Sequence, residues 1–124
     1  SRSVARSLAS TFTRASSSTA TGNVLLDFGG LVLQARVFDT PTGKAFHQGC
    51  PHRSIVLQTW GNEVYGPLKM KLPVFKPQPR IRPGGLAYSQ NGNYLCIFFG
   101  QHPAWPVDYI GQIDKDWQRL VGGQ

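Results

Sequence analysis

Acidic residues are scarce in this chain. Six Asp and Glu stand against thirteen Lys and Arg in 124 residues, a net charge of +7. From Val64 to Val107 there is no acid at all. General acid–base chemistry by paired carboxylates therefore has little to draw on. Asp114 and Asp116 are close in sequence, but they open a predicted helical turn, where acids suit the helix dipole. Cysteines number two, Cys50 and Cys96, enough for one disulfide but for no framework, and no CxxC or CxxH pair offers a zinc site. Cys96 lies inside an apolar run and reads as a buried free thiol. His47, His52 and His102 do not pair with one another at helical or strand spacing, so no metal and no cofactor is expected. The chain lacks a GxSxG elbow and a strand–GxGxxG–helix phosphate loop. It also lacks any apolar run near the roughly 18–20 residues of a membrane helix, and its longest candidate, Tyr94 to Phe99, is strand-sized.

What is present in quantity is turn chemistry. Gly 14 and Pro 9 punctuate a chain that is 40% hydrophobic, which favours one compact, mostly β domain. Residues 1–22 differ, being rich in Ser, Thr, Ala and Arg and free of acid. They read as a basic arm before a domain over 23–124. Val4, Leu8 and Phe12 recur every four residues, consistent with a short amphipathic helix. The arm could dock on this domain or on a second copy, giving a homo-oligomer, or could be a tail or targeting remnant. The cytoplasm is the expected compartment, with export or organelle targeting the alternative that the arm leaves open.

From Asn23 the pattern is regular. "NVLLDF" and "LVLQARVF" predict two strands joined at Gly29-Gly30. "DTPTGKAFHQG" predicts a short helix, capped by Asp39 or Thr40, with Pro41 in its first turn and Gly49 at its end. "RSIVLQTW" is the next expected strand, and Gly61-Asn62 turns the chain into "EVY". "LKMKL" alternates apolar and basic residues and predicts a half-exposed strand. Pro73, Pro77, Pro79 and Pro83 then impose an extended loop. "LAYS", the doubly buried "YLCIFF" and "DYIGQI" follow as strands, and "DKDWQRL" as a terminal helical turn capped by Asp114. Seven or eight short strands without alternating helices predict a closed barrel or a sandwich.

Two constellations could carry function. Lys69, Lys71, Lys76, Arg80 and Arg82, with Phe75 among them, could track a polyanion. Their alternation with Leu68, Met70 and Leu72 is equally how a strand keeps one face wet, so a nucleic-acid partner is not expected. The second is Arg53 with the aromatics Trp60, Phe98, Phe99 and Trp105: an apolar floor with one convergent cation is the general form of a small-ligand or peptide site. By itself, a strand-leading arginine is a surface or ion-pairing residue. Cys50 precedes Pro51-His52-Arg53, a setting that could lower a thiol pKa, though an ordinary loop cysteine is the plainer reading.

The run "TWGNEVYGPLKMKLP … RIRPGGLAYSQNGNYLCIFFGQHP … DYIGQI" resembles the small prokaryotic cyclophilin-like proteins. Their pattern is Trp-Gly-x-Glu-x-Tyr, Pro-Gly-Asp-x-x-Tyr, Leu-Cys-x-Phe-Phe-Gly and Val-Ile-Gly-x-Ile. It is matched by Trp60, Gly61, Glu63 and Tyr65, by Pro83, Gly84 and Tyr88, by Leu95, Cys96, Phe98, Phe99 and Gly100, and by Ile110, Gly111 and Ile113. Gly85 replaces the family's usual acid, and the helix after Asp39 is short. The resemblance covers about 23–113 and implies a closed cyclophilin-like β-barrel of about eight short strands with one or two short helices.

A fainter likeness runs to the true cyclophilins, peptidyl-prolyl isomerases whose Cys-Phe-His-Arg segment resembles Cys50-Pro51-His52-Arg53. Their Asn-Gly-Ser-Gln-Phe-Phe segment is similar to "NGNYLCIFF". That likeness implies Arg53 as the catalytic arginine, Phe99 or Phe98 as the wall of a proline pocket and Trp105 as its rim. His52, Gln58 and Trp60 complete the expected ligand-binding set. The expected partner is a proline-containing peptide, bound or isomerised. The alternatives are a non-enzymatic barrel for a small ligand and an oligomeric structural module.

Overall fold

The architecture is that of a computed structural model, which describes residues 14–17, 23–28, 31–50, 52–53 and 58–120. Ten strands are found among them: β1 (Arg14–Ser17), β2 (Asn23–Asp27), β3 (Val32–Val37), β4 (His52–Arg53), β5 (Gln58–Trp60), β6 (Glu63–Pro67), β7 (Pro77–Gln78), β8 (Gly85–Ser89), β9 (Tyr94–Phe98) and β10 (Val107–Gln112). One α-helix, α1 (Pro41–Gln48), follows β3, and a 3-10 turn over Trp117–Leu120 follows β10. The strands form one antiparallel sheet in the order β4-β1-β2-β3-β10-β8-β9-β6-β5, with β7 also paired to β10.

The local rules operate as expected in the first hairpin and the helix. β2 and β3 alternate buried and less buried positions, so Val24, Leu26, Leu33, Ala35 and Val37 share one face. Their pairing runs to Asp27 opposite Val32, and Phe28 N–H donates to the Leu31 carbonyl, 2.8 Å away. The turn residues Gly29 and Gly30 lie outside the described residues. Thr40, not Asp39, caps α1: its hydroxyl accepts from Gly43 N–H at 3.0 Å, with Pro41 in the first turn. Phe46, on the buried side of this helix, is completely enclosed.

The sheet curls so that its inner face closes on one core. Val24, Leu26 and Leu33 from one arm of the sheet meet Leu86, Leu95 and Ile97 from the other, with Phe46 and Ile110 between them. The sheet is a curled half-barrel and not the closed barrel expected from the sequence. The end strands β4 and β5 are two and three residues long, and no ladder joins them among the described residues. Strands this short cannot supply a full row of hydrogen bonds across the gap.

Three further expectations change. "RSIVLQTW" is not one described strand: its ends fall in β4 and β5, and residues 54–57 lie outside the described part. "LKMKL" is not a strand either. Asn93 draws this segment away from the sheet, because its backbone carbonyl accepts from Leu68 N–H and its side-chain amide donates to the Leu68 and Met70 carbonyls. Leu68 and Leu72 then drop into the core while Lys69, Met70 and Lys71 stay exposed. Asp114 caps nothing. It receives both arms of Arg36, at 3.0 and 3.1 Å, from the neighbouring strand.

Within the expected arm, Arg14–Ser17 forms β1, paired with β2 on one side and β4 on the other. The helix anticipated around Val4, Leu8 and Phe12 lies outside the described residues.

Candidate functional site

β9 is buried on both faces, and this property positions the site. Leu95, Ile97 and Phe99 enter the main core. Cys96 and Phe98 point to the opposite, outer face of the sheet, where they form a second apolar cluster with Ile81, Ala87 and Val107. Strand register extends that outer face sideways. Tyr65 lies opposite Cys96 and Glu63 opposite Phe98, while Ser89 on β8 lies opposite Tyr94. Because side chains alternate along a strand, Glu63 and Tyr65 share the outer face and Val64 goes to the core.

The segment from Gly100 to Pro106 folds over this patch and makes it a cleft. Gly100 has φ +117°, a conformation that side-chain-bearing residues avoid, and it lets the chain leave β9 sharply. Trp105 is fixed by its indole N–H, which donates to the Ser89 hydroxyl at 2.8 Å; that hydroxyl donates to the Asn91 carbonyl at 2.7 Å. Gln101 accepts from Asn62 N–H in the β5–β6 turn. The cleft encloses about 320 Å3, near the lower end of the range for small-molecule sites, roughly 300–1,000 Å3. Trp60 and Trp105 stand at its mouth, 50% and 45% exposed. Tyr65 and Tyr94 meet edge to face at 5.0 Å, and Phe98 lies with them in the lining.

Glu63 is the one acid in this lining and only 7% exposed. Burial among aromatic rings pushes its carboxyl up to about 7, opposed by a hydrogen bond from the Cys96 thiol. Burial and the neighbouring Glu63 push the Cys96 thiol well above its ordinary range, so it is no nucleophile at neutral pH. The Cys50 thiol is also raised, to about 11, by burial, against the activated reading of that residue. The cleft therefore offers shape, aromatic faces and one carboxyl poised to exchange a proton near neutrality.

The sequence-derived candidates divide. Trp60, Phe98 and Trp105 line the cleft together. Gln58 is exposed, lies opposite Tyr65 on the same face of the sheet and accepts from its hydroxyl at 3.1 Å, so it braces a cleft wall from the side. His52 is buried elsewhere: its ring stacks on Phe46 at 4.6 Å, and its Nε2 lies 2.8 Å from the Phe46 carbonyl oxygen. Phe99 is in the main core beside Trp117, 6.2 Å between ring centres. The Arg53 backbone pairs with Arg14, and β4 lies at the opposite end of the strand order from β5 and β6; its side chain is outside the described residues.

In the sequence Glu63 stands out only as one letter of the Trp-Gly-x-Glu-x-Tyr pattern. A signal was available: it is the chain's only glutamate and its only acid between Asp39 and Asp108, set in a strand, where glutamate is disfavoured.

Among the described residues no group of three or more His, Cys, Asp and Glu side chains is placed to hold a metal ion, and no helix is long and apolar enough to cross a membrane. No curated protein and no solved structure matches the chain. A family model described as Cyclophilin-like does match, over residues 22–124. The chain belongs to the cyclophilin-like family, and the curled antiparallel sheet of the described residues is consistent with that fold.

Proposed function

We propose that this domain is a non-enzymatic binding module for a small organic ligand, held in the outer cleft. The observation that carries the reading is the lining itself. Five aromatic side chains (Trp60, Tyr65, Tyr94, Phe98 and Trp105) surround a single buried carboxyl, with no lysine, arginine or histidine among the described lining residues. An apolar cavity with one oriented polar group is the usual composition of a ligand site. The decisive experiment is a thermal-shift screen of small metabolites, with hits verified by tryptophan fluorescence, since Trp60 and Trp105 stand at the mouth. Ligands should raise the melting temperature and perturb the fluorescence, and Trp105→Ala should weaken both effects. A screen without a stabilising ligand that depends on Trp105 would refute the reading.

A second reading is favoured by the two exposed tryptophans. Aromatic-lined grooves also dock proline-containing peptides, whose rings pack on aromatic faces at low entropic cost. Isomerisation of such a peptide must overcome an amide barrier of about 18–20 kcal/mol and calls for a donor to the prolyl nitrogen as it pyramidalises. Arg53 is the residue that the likeness to cyclophilins offers for this role. A protease-coupled X–Pro assay decides it: a rate no higher than that of Arg53→Ala excludes catalysis.

A further inference from the structure

We propose that the outer cleft is a site for a methylated organic ammonium group, with Glu63 as its counter-ion and the surrounding aromatic rings as its cage. This inference rests on the small-ligand reading of the same cleft and specifies the ligand's chemistry.

Glu63 is short of partners for its charge. A carboxylate in an apolar site needs donors or a cation to replace its lost water. The described surroundings supply one weak donor, the Cys96 thiol, and no positive side chain. Burial in this lining consequently favours the neutral acid. A cation seated beside Glu63 would supply the missing charge, and the negative faces of the aromatic rings would stabilise it further.

The class of cation follows from the remaining acceptors. A primary ammonium carries three N–H donors and requires about three acceptors when desolvated. Besides Glu63, the lining side chains offer only hydroxyl oxygens: that of Ser89, which already accepts from Trp105 and donates to Asn91, and those of Tyr65 and Tyr94, of which Tyr65 already donates to Gln58. A methylated ammonium makes no such demand. Its charge is spread over apolar methyl groups, which suit walls built from Tyr94, Phe98 and Trp105. A cavity of about 320 Å3 also has room for a group of this size.

Proton linkage makes the site pH-dependent. The titratable groups lining the cleft with Glu63 are Tyr65 on its own strand and Tyr94 and Cys96 on β9; β5, β8, β10 and the 100–106 segment bring none. Binding requires the Glu63 carboxylate, so affinity should rise about tenfold from pH 6 to pH 8, with a proton released on binding at the lower pH.

The test uses choline and its uncharged isostere 3,3-dimethylbutan-1-ol, titrated into the full chain and followed by tryptophan fluorescence. Choline should bind saturably and at least about tenfold more tightly than the isostere at pH 8. Glu63→Gln should remove both the preference and the pH dependence, while Trp105→Ala, at an exposed position, should weaken choline binding in a folded protein. Equal binding of choline and the isostere would overturn the cation assignment and leave the small-ligand reading intact. Absence of choline binding, or choline binding unaffected by Glu63→Gln, would also overturn it, whereas the small-ligand reading stands or falls with the metabolite screen.

Discussion

Replacing Glu63 by Gln should stabilise the unliganded domain at pH 8 and leave it almost unchanged at pH 4. The folded-state pKa of Glu63 is raised from the ordinary 4.5 to about 7. Below pH 4.5 the group is protonated in both the folded and unfolded chains, and its contribution is fully retained. Between pH 4.5 and 7 the unfolded chain ionises while the folded one holds its proton, so stability falls as pH rises. Above pH 7 both are ionised and the loss is constant. At about 1.4 kcal/mol for each tenfold step, the gap amounts to roughly 3 kcal/mol, and water at the open mouth reduces this toward about 2 kcal/mol. Gln keeps the shape of the neutral acid and cannot ionise. Its advantage at pH 8 should therefore be about 2 kcal/mol, or roughly 6–10 °C in melting temperature for a domain of this size. Urea denaturation of both proteins from pH 4 to pH 8.5 isolates the effect, because other titrating groups cancel in the difference. A pH-independent difference, or a variant less stable than the parent at pH 8, would refute the burial argument.

Two other substitutions probe how the scaffold holds the cleft. Gly43→Ala in α1 should destabilise, by about 1–3 kcal/mol in urea denaturation, although alanine is the better helix former, because a Cβ there would run into the Phe38 carbonyl oxygen and approach that of Ile110. A stabilised variant would contradict this close seating of the helix. Asn93→Ala should cost about 1–3 kcal/mol, since it strands the Leu68 and Met70 carbonyls and leaves a left-handed residue, φ +58°, without its amide. Trypsin should then cut faster at Lys69 and Lys71 than in the parent, and an unchanged cleavage rate would argue against the anchoring role.

Local chemistry wrote much of the framework legibly. Thr40-Pro41 before Phe46 marks a capped helix because hydroxyl, ring and apolar face act within a single turn. The alternation in β2 and β3 and the unbroken apolar run of β9 mark one-sided and two-sided strands for the same reason. "LKMKL" misled because alternation is a preference of the segment alone, and a side chain more than twenty residues downstream, Asn93, outweighed it. The cleft was legible only in part. Trp60, Phe98 and Trp105 stood out as aromatics, but nothing in their spacing separated Phe98 from Phe99, which point to opposite faces of the sheet.

The sequence by itself determined a mostly β domain with one or two short helices, a cation excess and a set of aromatics available for a site, since composition and short-range periodicity carry those properties. Tertiary structure decided that the sheet stays open between its two short end strands, that the aromatic-lined cleft lies on the outer face, and that Glu63 is buried in its lining. The physical reason is burial. A glutamate's pKa depends on which groups replace its water, and here those groups come from β5, β9 and the 100–106 segment, brought together by register across a sheet.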